Sequence, residues 1–381
     1  MSNRSTLSAD PLSRDVLRRS ALLLLPLLIL VSCSGSGPDV IDPNVSSRSQ
    51  IALFAVSSGA GGELLRYSES QGAVVTQHDF EDANGVPLGK NVDAIYDAYD
   101  SLFLLSRSTG TITVLDLKTR RKIGELTGFG ATPGGGLCGL AFSNRSQAWA
   151  VSYGTPSLYL IDSYNLAVLP EIPLPGNPTA VGTSGARVFV GMEMPDGSGA
   201  LAIFSSNAGG TYEVEQTLTF PTPVVYVAGS AGGTQAFVMT AGNAGADTAS
   251  PLDDALPGIA IVGTASPVQI LFQFDLTFSP SLFHRIGKPP VWASQVYQDY
   301  VYLALPVGVV KVDMISGAME EVGLPEEYQA VAADFFSSLT YALLPDSRTV
   351  RRVDRDLNYL PDLVLPLDAR AIRFVSSTRV R

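Results

Sequence analysis

Histidine and cysteine are nearly missing from this chain of 381 residues, which holds two of each. Two cysteines cannot build a disulfide framework, and His78 and His284 are too few for a histidine-rich metal centre. No C-x-x-C-H stretch occurs, which excludes covalent haem attachment, and no G-x-S-x-G elbow presents a nucleophilic serine. A basic excess is lacking too. Against 25 Lys and Arg stand 36 Asp and Glu, a net charge of −11, so nothing is available to neutralise the phosphates of a nucleic acid. From residue 51 onward no stretch carries the periodicity of an amphipathic helix.

What the chain does have is apolar residues and turn formers. Hydrophobic residues make up 46% of it, with 36 Gly and 25 Pro, so a large core divided by many turns is expected. The N-terminus is set apart from that core. Arg14, Arg18 and Arg19 precede the apolar stretch Ala21 to Val31, whose 11 residues fall short of the ~20 that span a bilayer. The following Leu30-Val31-Ser32-Cys33 resembles the lipobox of bacterial lipoproteins. That resemblance implies a signal peptide over 1–32, cleavage before Cys33, and lipid on Cys33 that anchors the chain in a membrane. Arg18-Arg19 leaves general secretory and twin-arginine export both open. Residues 33–50 read as the lipidated cysteine and a flexible tether rich in Ser, Gly and Pro. Residues 1–32 removed, 21 basic and 34 acidic side chains remain, so the body is held by its lipid and not by phospholipid charge.

Residues 51–381 read as one domain of short apolar strands separated by turn signals. Several strands end in an aliphatic residue plus Asp, as in "TITVLDLKT" (Asp116), "LYLIDSYN" (Asp162), "VVKVDMIS" (Asp313) and "VRRVDRDL" (Asp354). Aligning on that position adds Ser68, Ser205 and Gly263, and the seven positions are spaced by 48, 46, 43, 58, 50 and 41 residues. That is the period of propeller blades. The repeated aspartates are read as structural, because an Asp after a strand accepts hydrogen bonds from the next turn's N–H groups. Each repeat offers four strands, a to d, but the first, from Ile51, has only b, c and d. The missing strand is supplied by "AIRFV" at 371–375, which completes the first blade and protects the sheet edges. The fold class expected is all-β: a seven-bladed β-propeller of four-stranded antiparallel blades, closed by strand 371–375.

These repeats resemble the YVTN-type, YncE-like seven-bladed propellers over most of 51–375. "FEDANGVPLGKNVDAI" (80–95) with "TITVLDLKT" is similar to the surface propeller lipoproteins of Bacteroidetes found with TonB-dependent transporters, some of which resemble vitamin B12 binders. The resemblance implies a cell-envelope lipoprotein whose partner is such a transporter or another envelope protein. Ser34 after the lipidated cysteine favours the outer membrane by the usual enterobacterial sorting tendency, with the domain facing either the periplasm or the exterior.

In four-stranded blades the d–a and b–c connections share one face. The long connections 80–92, 128–137, 276–290 and 241–257 all fall there, while the opposite turns are tight, so this loop face is the expected binding surface. Its candidate ligand-binding residues are Phe80, Asn84, Arg107, Tyr153, Glu193, Asp196, His284, Arg285 and Lys288. Asp247, Asp253 and Asp254 match no calcium-loop spacing, and neither a metal nor a cofactor is expected. Cys138 reads as a small buried hydrophobe. The expectation is a non-enzymatic ligand binder, with a protein–protein scaffold and a lactonase-like hydrolase as the alternatives.

Overall fold

Short apolar runs that alternate in and out, each stopped by a tight turn, pair with their sequence neighbours and with little else. Seven antiparallel sheets result, each a meander ordered from the innermost strand a to the outermost strand d. The protein, here a computed structural model, is a seven-bladed β-propeller. The structure describes residues 50–58, 61–130, 136–207, 210–230, 232–241, 258–275, 296–297, 300–305, 308–322, 324, 326–334, 339–354 and 356–376. All of these fall in the unit Val40–Arg381. Cys33, the tether up to residue 49, Asp247, Asp253, Asp254, His284, Arg285 and Lys288 lie outside the described residues.

Blade 1 joins the two ends of the domain. Its strand a is Asp368–Ser376, beside b (Gln50–Ser58), c (Gly61–Ser68) and d (Ala73–Thr76). Ile372 pairs with Phe54 and Phe374 with Ala52, as the sequence predicts. The two faces of this strand serve two neighbours. Ile372 and Phe374 pack with Tyr341 and Leu343 of blade 7, the Phe374 ring meeting Tyr341 edge-on at 4.8 Å. Ala371 and Val375 pack on the other side with Ile95, Leu102 and Leu104 of blade 2. Arg373 lies on that second face and holds Asp97 of blade 2's strand a (Ala94–Ala98) through an Nε donor at 2.6 Å.

The recurrent aspartates terminate strand c as expected. Asp116 Oδ1 accepts the N–H groups of Lys118 and Thr119, and Asp162 Oδ1 those of Tyr164 and Asn165. Asp313 does the same for Ile315 and Ser316, and Asp354 for Asp356 and Asn358. In Asp162 and Asp354 these backbone bonds hold the carboxyl below its ordinary range.

One local expectation is corrected. The sequence suggested no helix from residue 51 onward. Strand d of blade 1 stops at Thr76, and residues Asp79–Asn84 instead form a short helix with His78 at its N-cap position. The cause is distant in sequence: Glu63 on strand c accepts the Phe80 N–H at 2.7 Å and the Glu81 N–H at 3.2 Å, satisfying donors that a helix start leaves open. Gly85, at φ 73°, closes the other end with its N–H on the Glu81 carbonyl.

Ring closure predicts a severe penalty for thinning the terminal strand. Phe374→Ala removes a ring that is 6% exposed and is expected to cost about 3–5 kcal/mol, read by denaturant unfolding. Deleting residues 369–381 is expected to abolish cooperative melting, and unchanged melting would contradict closure.

Candidate functional site

In blades 2, 3 and 4 strand b climbs toward the loop face and ends beside the start of strand a, at the rim of the propeller's central channel. In blade 2 the position just after strand b (Ser101–Ser106) is Arg107, in blade 3 the last residue of strand b (Gln147–Tyr153) is Tyr153, and in blade 4 the last of Arg187–Glu193 is Glu193. Tyr153 stands opposite Gly136, and Glu193 opposite Asn177, the first residues of their strands a. Three consecutive blades therefore place three polar side chains at one structural position.

These side chains are coupled. The Tyr153 hydroxyl donates to Glu193 Oε2 at 2.7 Å, bridging blades 3 and 4. That bond, then burial, pushes the phenol up to about 12, and the nearby Arg107 guanidinium opposes the rise. The Arg107 N–H donates to Asp93 Oδ2 at 2.7 Å, and Arg370 approaches Asp93 Oδ1 at 3.8 Å. The rim from blade 1 to blade 4 thus reads Arg370, Asp93, Arg107, Tyr153, Glu193, with charges of alternating sign on both sides of a phenol. Gly136 makes the close approach possible: its φ is 111°, and a Cβ there would lie 2.2 Å from the Arg107 carbonyl oxygen.

The inner strands add a second regularity. Strand a carries a bulge near its loop-face end in blades 1, 3, 4 and 5, leaving Arg370, Cys138, Thr179 and Val225 without a cross-strand partner. A bulge bends the strand and re-aims the extra side chain. The Cys138 thiol reaches the Pro178 carbonyl at 3.5 Å, and Thr179 Oγ1 donates to the Val224 carbonyl. In blades 3 and 4 the bulge side chain thus holds the residue before the next blade's bulge. Burial pushes the Cys138 thiol up to about 12, so it is a structural donor and not a nucleophile.

Not all candidates join this rim. Phe80 is 2% exposed and packs with Leu53, Leu64 and Leu102 in the core between blades 1 and 2. Asn84 is fully engaged: its Nδ2 donates to the carbonyls of Phe80 and Arg120, and its Oδ1 accepts the Lys122 N–H. Connection 80–92 is a wedge between blades, and not an open loop. Beside it Asp79, 4% exposed, lies 3.1 Å from both Arg66 and Arg120. Asp196 sits in the b–c turn of blade 4, where it accepts the N–H and hydroxyl of Ser198. Sequence reasoning missed Asp93 and Arg370, whose only signal is a charge near the start of strand a.

No family model and no curated protein matches the chain. Solved structures do. The periplasmic gluconolactonase of Pseudomonas aeruginosa is 15% identical, with a TM-score of 0.62 over 86% of this chain and 99% of that one. A Bacteroides fragilis protein described as a candidate 6-phosphogluconolactonase is 13% identical, with a TM-score of 0.60 over 88% and 100%. A functionally unknown protein from Desulfotomaculum acetoxidans is 13% identical, with a TM-score of 0.60 over 87% and 99%. The shared property is the propeller fold.

These neighbours correct the expectation of a non-enzymatic chain. Propellers of this form include a gluconolactonase, so the missing local motif gives no ground for excluding hydrolysis. The physical reason lies in the rim: Arg107, Tyr153 and Glu193 come from three successive blades, 46 and 40 residues apart, and no short motif can register them.

The Tyr153–Glu193 bond makes a spectroscopic prediction. Glu193→Gln removes the carboxylate that stabilises the protonated phenol, so Tyr153 is expected to ionise at lower pH. The check is a difference titration of tyrosinate absorbance against the unmodified chain; superimposable curves would contradict the coupling.

Proposed function

We propose that this chain is a ligand-binding propeller of the cell envelope, with a small-molecule site at the channel rim around Arg107, Tyr153 and Glu193. The observation that carries the reading is the meeting of these three side chains, from three consecutive blades, at one structural position on the loop face. A guanidinium, a phenol and a carboxylate on rigid strand ends suit a ligand rich in hydroxyl and carboxyl groups. Sugar acids and their lactones are the class that the gluconolactonase neighbours bring forward. Corrinoids are the class that the lipoprotein resemblance brings forward. In this reading the lipid on Cys33 holds the domain at the outer membrane, and a TonB-dependent transporter receives the ligand.

The test is a thermal-shift panel of gluconate, gluconolactone and cobalamin on the full chain, with lactone hydrolysis followed in the same samples. A ligand at 100 times its dissociation constant stabilises by about 2.7 kcal/mol. Arg107→Met, Tyr153→Phe and Glu193→Gln are each expected to weaken binding at least tenfold. A shift that persists in all three variants would move the site away from the rim. No shift with any ligand would favour the protein-docking scaffold, whose partner cross-linking would then be sought on this same face.

A further inference from the structure

Glu63 poses a problem that the rim does not address. Its residue is 1% exposed, yet among the described residues no Lys or Arg makes an ion pair with it. Among those residues its oxygens are held only by backbone donors, the N–H groups of Leu64 at 2.8 Å, Phe80 at 2.7 Å and Glu81 at 3.2 Å. Buried carboxylates are as a rule paired with a cation or coordinated to a metal. The titratable groups that meet it are His78 and Glu81, the first before the short helix and the second within it. One ligand atom from each of the three lies within 4.8 Å of the others. His78 Nδ1 and the Glu81 carboxylate are already 3.9 Å apart.

We propose that Glu63, His78 and Glu81 form a site for a divalent transition metal, best matched by Zn²⁺. One imidazole nitrogen and two carboxylates are a donor set that zinc takes at about 2.0–2.2 Å, whereas calcium and magnesium prefer oxygen alone. Tetrahedral bonds of that length put donor atoms roughly 3.4 Å apart. The His78 and Glu81 side chains, 49% and 48% exposed, have the freedom to close the remaining gap. Glu63 is fixed, and the N–H groups on its oxygens orient it as the second shell of a metal ligand does. Water completes the coordination. The metal would join strand c of blade 1 to the helix that carries Asp79, and so fasten the wedge between blades 1 and 2. The site is separate from the rim, and it needs only one of the chain's two histidines.

The experiment is titration calorimetry of the full chain, stripped of metal with a chelator, against Zn²⁺. Thermal melting and the visible absorption of Co²⁺ are recorded in parallel. One zinc per chain and a raised melting point are expected. His78→Ala and Glu81→Gln each are expected to weaken binding at least tenfold and to remove the tetrahedral Co²⁺ bands. His284→Ala, the other histidine, should leave all three readouts unchanged. Both variants alter half-exposed side chains, so their melting without zinc should match that of the stripped chain. Failure to bind stoichiometric zinc, or binding that survives His78→Ala, would overturn the site.

Discussion

A blade that lacked its inner strand would present strand b as a long unpaired row of backbone donors and acceptors, and such a row invites a foreign strand. Here the row on blade 1 is filled by the chain's own last strand, Asp368–Ser376, laid antiparallel on Gln50–Ser58. The other features inherit their geometry from that seam. Ile372 and Phe374 reach back to blade 7, while Ala371, Arg373 and Val375 reach forward to blade 2. The same strand also delivers Arg370 to the rim, at the bulge where the pairing with blade 1 slips by one residue.

The rim and the wedge show two uses of buried polarity in one scaffold. At the rim, bulges in four blades turn individual inner-strand residues out of the ladder, and the freed side chains of Cys138 and Thr179 hold neighbouring blades together. Such cross-blade bonds keep strand ends rigid, which suits a site assembled from several blades. In the wedge, Asp79 between Arg66 and Arg120 and Glu63 under the helix start bring four charged groups together. The short helix cannot dock in another register without stranding Asp79.

Much of the architecture was legible in the sequence because its causes are local. A strand of alternating residues, then Asp, then a turn is a complete physical instruction within ten residues, and Asp116, Asp162, Asp313 and Asp354 carry it out as read. The closing strand was legible because the first repeat is one strand short. The helix Asp79–Asn84 was not legible, since its start is capped by Glu63, 17 residues before Phe80. Connection 80–92 was misleading for a related reason: its length reads as an open loop, but Phe80 and Asn84 are consumed in packing and backbone bonds. Arg107, Tyr153 and Glu193 could be nominated from their places at the ends of strands b. Asp93 and Arg370 could not, because the reach of Arg370 depends on a bulge that no residue pattern announces.

The seam itself can be measured without altering the chain. Amide hydrogen exchange followed by mass spectrometry reports protection strand by strand. If the terminal strand closes the ring, the amides of 371–375 exchange with the same slow, global protection as those of Gln50–Ser58. Rapid exchange at 371–375 beside a protected first blade would mean that the ring is held by something else.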